Sequence, residues 1–120
     1  MTPAEFRCLR EYLGLPLNWV ASNLAVTERT VNRWENGVTP IPDRASAELA
    51  RLAEYTNRCV EKVMRMRKQY GQLVTTPDGE VDGFPASWHR MVCARVAAET
   101  GLPVRYGPKP TDAGPRRRPA

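Results

Sequence analysis

Arg29 and Arg33 stand four residues apart, with Glu28 and Asn32 immediately before them, in the run ERTVNRWE over 28–35. On a helix that spacing gathers these four polar residues on one face and leaves Val31 and Trp34, three apart, on the opposite one. Such groups recognise rather than transform. A guanidinium can bond guanine bidentately through O6 and N7, and a carboxylate can accept from cytosine N4. Thr27 and Asn32 carry short polar groups suited to phosphate oxygens, which position a protein without reading sequence. Nothing comparable points to catalysis. His89 is the single histidine, and Cys8, Cys59 and Cys93 are widely spaced with no Cys-x-x-Cys pair. Neither a Ser/His/Asp or Cys/His set nor a Gly-rich phosphate loop stands out, so no catalytic residue, metal site or cofactor is expected and the chain does not read as an enzyme.

The neighbouring sequence must position that polar face. Leu17, Val20, Ala21 and Leu24 fall at i, i+3, i+4 and i+7, the stripe of a short amphipathic helix. Ala25–Val26 interrupts the stripe, Thr27 can cap a new helix, and Gly37 supplies the left-handed residue that ends it. Small Ala21 and Ala25 allow close approach at the crossing, so 15–37 reads as a helix-turn-helix. Upstream, Thr2-Pro3-Ala4-Glu5 is a capping box with proline at the first helical position; Phe6, Leu9 and Leu13 give the inward face and Gly14 the stop. Downstream, Val38–Pro42 reads as a proline-stiffened loop. Asp43 to Tyr70 then runs without glycine or proline to Gly71, and Ala45, Leu49, Leu52, Thr56, Cys59, Val63, Met66 and Tyr70 keep heptad spacing along it. That seam is weak at Thr56 and Cys59. The first half of the long helix is expected to complete an N-terminal core, and the second half to pack on the C-terminal segment and on a second copy.

Leu15, Val20, Ala21, Leu24, Val26, Thr27, Thr30, Val31, Arg33 and Trp34-Glu35-Asn36-Gly37 resemble the Cro/C1-type (Xre) helix-turn-helix of phage repressors, without a gap across 15–37. The chain departs from that pattern at Pro16 and Leu17, where a Ser/Thr cap and a Gln are usual, and at Ala25, where the turn commonly carries glycine. The wider layout is Trp34–Gly37, then Ile41-Pro42-Asp43, a long helix, Asp78–Phe84 and the Ala-containing stretch 92–98. It is similar to the YdiL-type proteins and the anti-CRISPR-associated autorepressors of phages. The resemblance implies a dimeric DNA-binding autorepressor that occludes a promoter at an inverted-repeat operator. Glu28, Arg29 and Arg33 would read base edges. Thr27, Thr30, Asn32 and Asn36 would hold phosphates, Asn36 through its backbone N–H. Arg10 and Glu35 would form a structural ion pair, although both could equally be solvated surface charges.

Three segments are expected: a DNA-binding unit over 1–70, a small C-terminal α/β dimerisation segment over 71–106, and a disordered basic tail over 107–120. The fold class is mainly α. Within the second segment 72–76 and 102–106 have strand character, 77–80 is a turn, and 86–100 is a helix stopped by Gly101, with Trp88, Met91, Val92, Arg95 and Val96 as its stripe. Val63, Met66, Tyr70, Trp88, Met91 and Val92 are the candidate dimer contacts of a homodimer. The net charge of +5 suits nucleic acid, but residues 1–42 hold four Arg against four Glu, and the basic excess lies in 43–70 and 102–120. Double-stranded DNA is thus the expected partner, with RNA or a toxin as rivals should the basic helix and tail, or a protein contact, dominate. No run approaches membrane-spanning length and no signal-peptide shape opens the chain, so a cytoplasmic location is expected.

Overall fold

The structure, a computed structural model, describes residues 1–108. Among these residues it is mainly helical, with five α-helices and two small two-stranded sheets. Helix α1 (Pro3–Tyr12) opens on the capping box: Thr2 Oγ1 accepts from Glu5 N at 3.0 Å, and Glu5 Oε1 accepts from Thr2 N at 2.9 Å. Helices α2 (Leu17–Asn23) and α3 (Glu28–Glu35) follow, and α4 (Asp43–Arg67) ends in a 3-10 turn, Lys68–Tyr70, stopped by left-handed Gly71. One core holds the chain together. Phe6, Leu13, Leu15, Val20, Val31, Ala45 and Leu49 are almost wholly buried, and each large apolar side chain so buried contributes about 1.5–3 kcal/mol.

Along α4 the buried residues are Ala45, Leu49, Leu52, Thr56 and Val60. The heptad spacing puts Cys59 at the fifth of these positions. A straight helix of 3.6 residues per turn drifts off a 3.5-residue seam, so Val60 turns inward and Cys59 is only half-buried. Thr56 is no weak point. It is fully buried, its hydroxyl donates to Leu52 O at 2.7 Å and accepts from Trp88 Nε1 at 2.9 Å, and its polarity is thereby satisfied.

Strand β1 (Leu73–Thr75) pairs in parallel with β4 (Val104–Tyr106), Leu73 opposite Val104 and Thr75 opposite Tyr106; helix α5 (Ala86–Thr100) supplies the crossover that parallel pairing requires. Gly107 N–H extends the ladder to Thr75 O, so the ordered chain continues past 106; the remainder of the expected basic tail, 109–120, lies outside the described residues. Between β1 and α5, beyond the turn expected at 77–80, sits a hairpin. Strands β2 (Glu80–Val81) and β3 (Phe84–Pro85) pair antiparallel around Asp82-Gly83, both at positive φ. Asp-Gly is the pair that such two-residue turns favour.

The 71–106 segment shares its core with the helices that precede it. Leu73, Trp88, Val92, Cys93 and Val96 belong to the same core cluster as Phe6 and Val31. Gly14, at φ +70, lies against α5 so closely that a Cβ there would sit 2.5 Å from Ser87 O, and Ser87 Oγ donates to Gly14 O. Trp19 Nε1 on α2 donates to Gly83 O at 3.1 Å, and the rings of Trp19, Phe84 and Trp88 stack in succession at 5.3 and 4.2 Å. No helix among the described residues is long and apolar enough to cross a membrane.

Candidate nucleic-acid interface

Helix α3 is fastened from behind and free in front. Its buried side is Val31 and Trp34, with the Trp34 ring meeting Phe6 edge-on at 6.1 Å. At its C-terminal end, Glu35 Oε2 accepts from Arg10 Nε at 2.6 Å and Glu35 Oε1 from Arg10 Nη2 at 3.0 Å. Arg10 Nη1 also donates to Leu15 O at 3.1 Å. The two side chains are only 11% and 4% exposed. One guanidinium therefore ties α1, the α1–α2 corner and α3 together with three charge-assisted bonds, a geometry that fixes orientation as well as energy.

The turn from α2 into α3 is equally determined. Ala25 N–H bonds Ser22 O and Val26 N–H bonds Ala21 O, the paired bonds of a Schellman ending, with Ala25 itself left-handed at φ +59. An L residue with a Cβ is strained there, which is why glycine is usual. Arg44 Nη1 on α4 donates to Leu24 O at 3.2 Å, placing a cation at the negative end of α2. Asn23 Nδ2 donates to Glu48 Oε2 at 2.8 Å; hydrogen bonding from Arg51, and secondarily from Asn23, holds the Glu48 carboxyl below the usual carboxylate range against partial burial. Thr27 then starts α3, its hydroxyl accepting from Thr30 N–H at 3.2 Å.

On the outer face Glu28 and Arg29 are exposed and Arg33 is half-buried. None of the three forms an ion pair among the described residues. Their charges remain available to an incoming partner. The Thr27 and Thr30 hydroxyls lie 2.9 Å apart; one donates to the other, which leaves one hydroxyl proton of the pair uncommitted. Asn36 differs from expectation. Its backbone N–H is already bonded to Asn32 O at 3.0 Å, and its side-chain amide donates to Asn32 O and Oδ1, both at 2.9 Å. Capping the helix end uses the donor that a phosphate would need, so Asn36 is a structural cap. Val38 N–H likewise bonds Arg33 O at 2.9 Å, closing off the backbone that follows.

The candidate dimer residues divide. Trp88 and Val92 are buried in the chain's own core, Met91 and Val63 are half-buried, and Met66 and Tyr70 are exposed. The contacts that sequence reasoning missed are Trp19 and the Asp82-Gly83 hairpin it grips. The Asp-Gly dipeptide signalled the hairpin, whereas Trp19, off the apolar stripe of α2, carried no local sign of its partner. Half-buried His89 holds the same hairpin, Nε2 lying 2.8 Å from Val81 O. No group of three His, Cys, Asp or Glu side chains among the described residues is arranged to hold a metal ion. No protein-family model matches the chain, and no curated protein matches it.

Proposed function

We propose that the protein is a sequence-specific, double-stranded DNA-binding regulator whose α2–turn–α3 unit is a helix-turn-helix, acting as a homodimeric repressor of its own promoter. The observation that carries this reading is the contrast between the two sides of α3. The helix is locked from behind by Val31, Trp34 and the Arg10–Glu35 pair, while Glu28, Arg29 and Arg33 form no ion pair among the described residues. Recognition helices enter the major groove with their N-terminal residues at base edges, which gives Glu28 and Arg29 the base-reading role and Arg33 a place one turn further on. The Thr27–Thr30 hydroxyl pair and Asn32 serve phosphates. With residues 1–42 electrically balanced, affinity rests on a few directed contacts and on the basic residues further along the chain rather than on a broad positive surface. The similarity of 15–37 to Cro/C1-type repressors points the same way.

The test is binding of the full chain to duplex from its own upstream region beside a scrambled duplex, across a salt series. A two-fold symmetric footprint, with half-sites about one helical turn or a multiple apart, is expected. Arg29→Ala should weaken specific binding roughly 10- to 100-fold, the scale of one bidentate guanine contact, with unchanged circular dichroism. Equal, steeply salt-dependent binding to both duplexes, or an Arg29→Ala variant that binds as tightly as the parent, overturns the reading and moves RNA or a protein partner ahead.

A further inference from the structure

Helix α4, β1, α5 and the β2–β3 hairpin enclose an open cavity of about 530 Å³. Its floor is apolar, including Val63, Leu73, Trp88 and Val92. The apolar surface continues out to the mouth, where Met66 is 51% and Val81 44% exposed, with Tyr55 and Val74 beside them. Contiguous apolar surface of this kind on a soluble chain marks an interaction site. The two walls carry opposite charge. Lys62 and Arg67 line the α4 side, and Asp82 lines the hairpin side. None of these three makes an ion pair among the described residues.

We propose that this groove seats a second copy of the chain, with the α4 wall of each copy against the hairpin wall of the other. The proposal deepens the proposed homodimer by naming its surface, and it does not rest on DNA recognition. The charge pattern identifies the occupant. A two-fold contact is self-complementary, so every residue of the patch must suit a residue of the same patch. A two-fold axis along the groove lays each basic wall over the partner's acidic wall; an axis across it sets like walls face to face. Only the first arrangement covers Met66 and Val81 while pairing Lys62 and Arg67 with the partner copy's acidic hairpin. An occupant of a single charge would meet repulsion on one wall.

The test is sedimentation velocity on the full chain without DNA, so that failure here is separable from failure of the operator footprint. The parent chain dimerises, and Lys62→Glu raises the dissociation constant roughly 10-fold, because each reversal acts twice in a symmetric dimer. Asp82→Lys does the same. Asp82→Asn is measured beside it, since asparagine keeps the left-handed preference of this position (φ +53) and removes only the charge. The double variant Lys62→Glu/Asp82→Lys regains association, and an equimolar mixture of the two single variants forms heterodimer in preference to either homodimer. Thermal melts confirm that each variant is folded. A parent chain that stays monomeric at high concentration, or single reversals that leave association unchanged, overturns the proposal.

Discussion

Replacing Arg10 by methionine removes three hydrogen bonds and leaves the Glu35 carboxylate, 4% exposed, without its counter-charge. Methionine retains most of the arginine stem's volume, so the loss is electrostatic and not a cavity. Removing one partner of a pair desolvated to this degree costs about 3–5 kcal/mol, against about 1 kcal/mol or less for a surface pair. For a domain of this size the larger figure lowers the melting temperature by roughly 12 °C or more, at about 4 °C per kcal/mol. Removing both partners, as Arg10→Met/Glu35→Met, restores an apolar pair and should recover much of the stability, since uncompensated buried charge rather than loss of attraction dominates the single variant. Urea unfolding followed by tryptophan fluorescence gives all four corners of the cycle, and the coupling is expected to exceed about 2 kcal/mol. The same tether orients α3, so the single variant should lose more duplex binding than its remaining folded fraction accounts for. A loss below about 1 kcal/mol for Arg10→Met, within the range of an exposed pair, would refute the reasoning.

Three further substitutions and one alkylation reaction probe the frame around the candidate interface. Gly14→Ala should cost about 2–4 kcal/mol, since left-handed strain adds to a Cβ placed 2.5 Å from Ser87 O; Gly71→Ala, at φ +76 with nothing within 4 Å of its Cβ, should show only the strain, about 1–2 kcal/mol, and equal losses in the two melts would contradict the close approach at Gly14. Ala25→Gly relieves the left-handed strain at φ +59 and should stabilise by about 0.5–1 kcal/mol in urea titration, net of the entropy that glycine adds to the unfolded chain; a loss would mean the turn differs from the Schellman form. Iodoacetamide at mildly alkaline pH should modify exposed Cys8 well before Cys93, whose thiol is pushed up by burial and is therefore less ionised, and peptide mapping that found Cys93 first would overturn that order.

Much of the first forty residues was legible because its signals are local. The capping box at Thr2–Glu5, the caps at Thr27 and Gly37, and the three-and-four spacing of Leu17–Leu24 each act within one or two turns of chain. The length of α4 was likewise set by the absence of glycine and proline between Asp43 and Gly71. What the sequence could not decide depends on residues far apart. Arg10 meets Glu35 across 25 positions, Trp88 meets Thr56 across 32 and Trp19 meets Gly83 across 64. Thr56 reads as a flaw in a heptad until Trp88 supplies its partner, and Asn36 reads as a phosphate donor until its own helix end takes up its N–H. The parallel pairing of β1 with β4 depends on where α5 returns the chain. A cap or a stripe is fixed by the conformations of adjacent residues; a socket exists only when packing has brought both of its halves together, and the tertiary structure alone determines that.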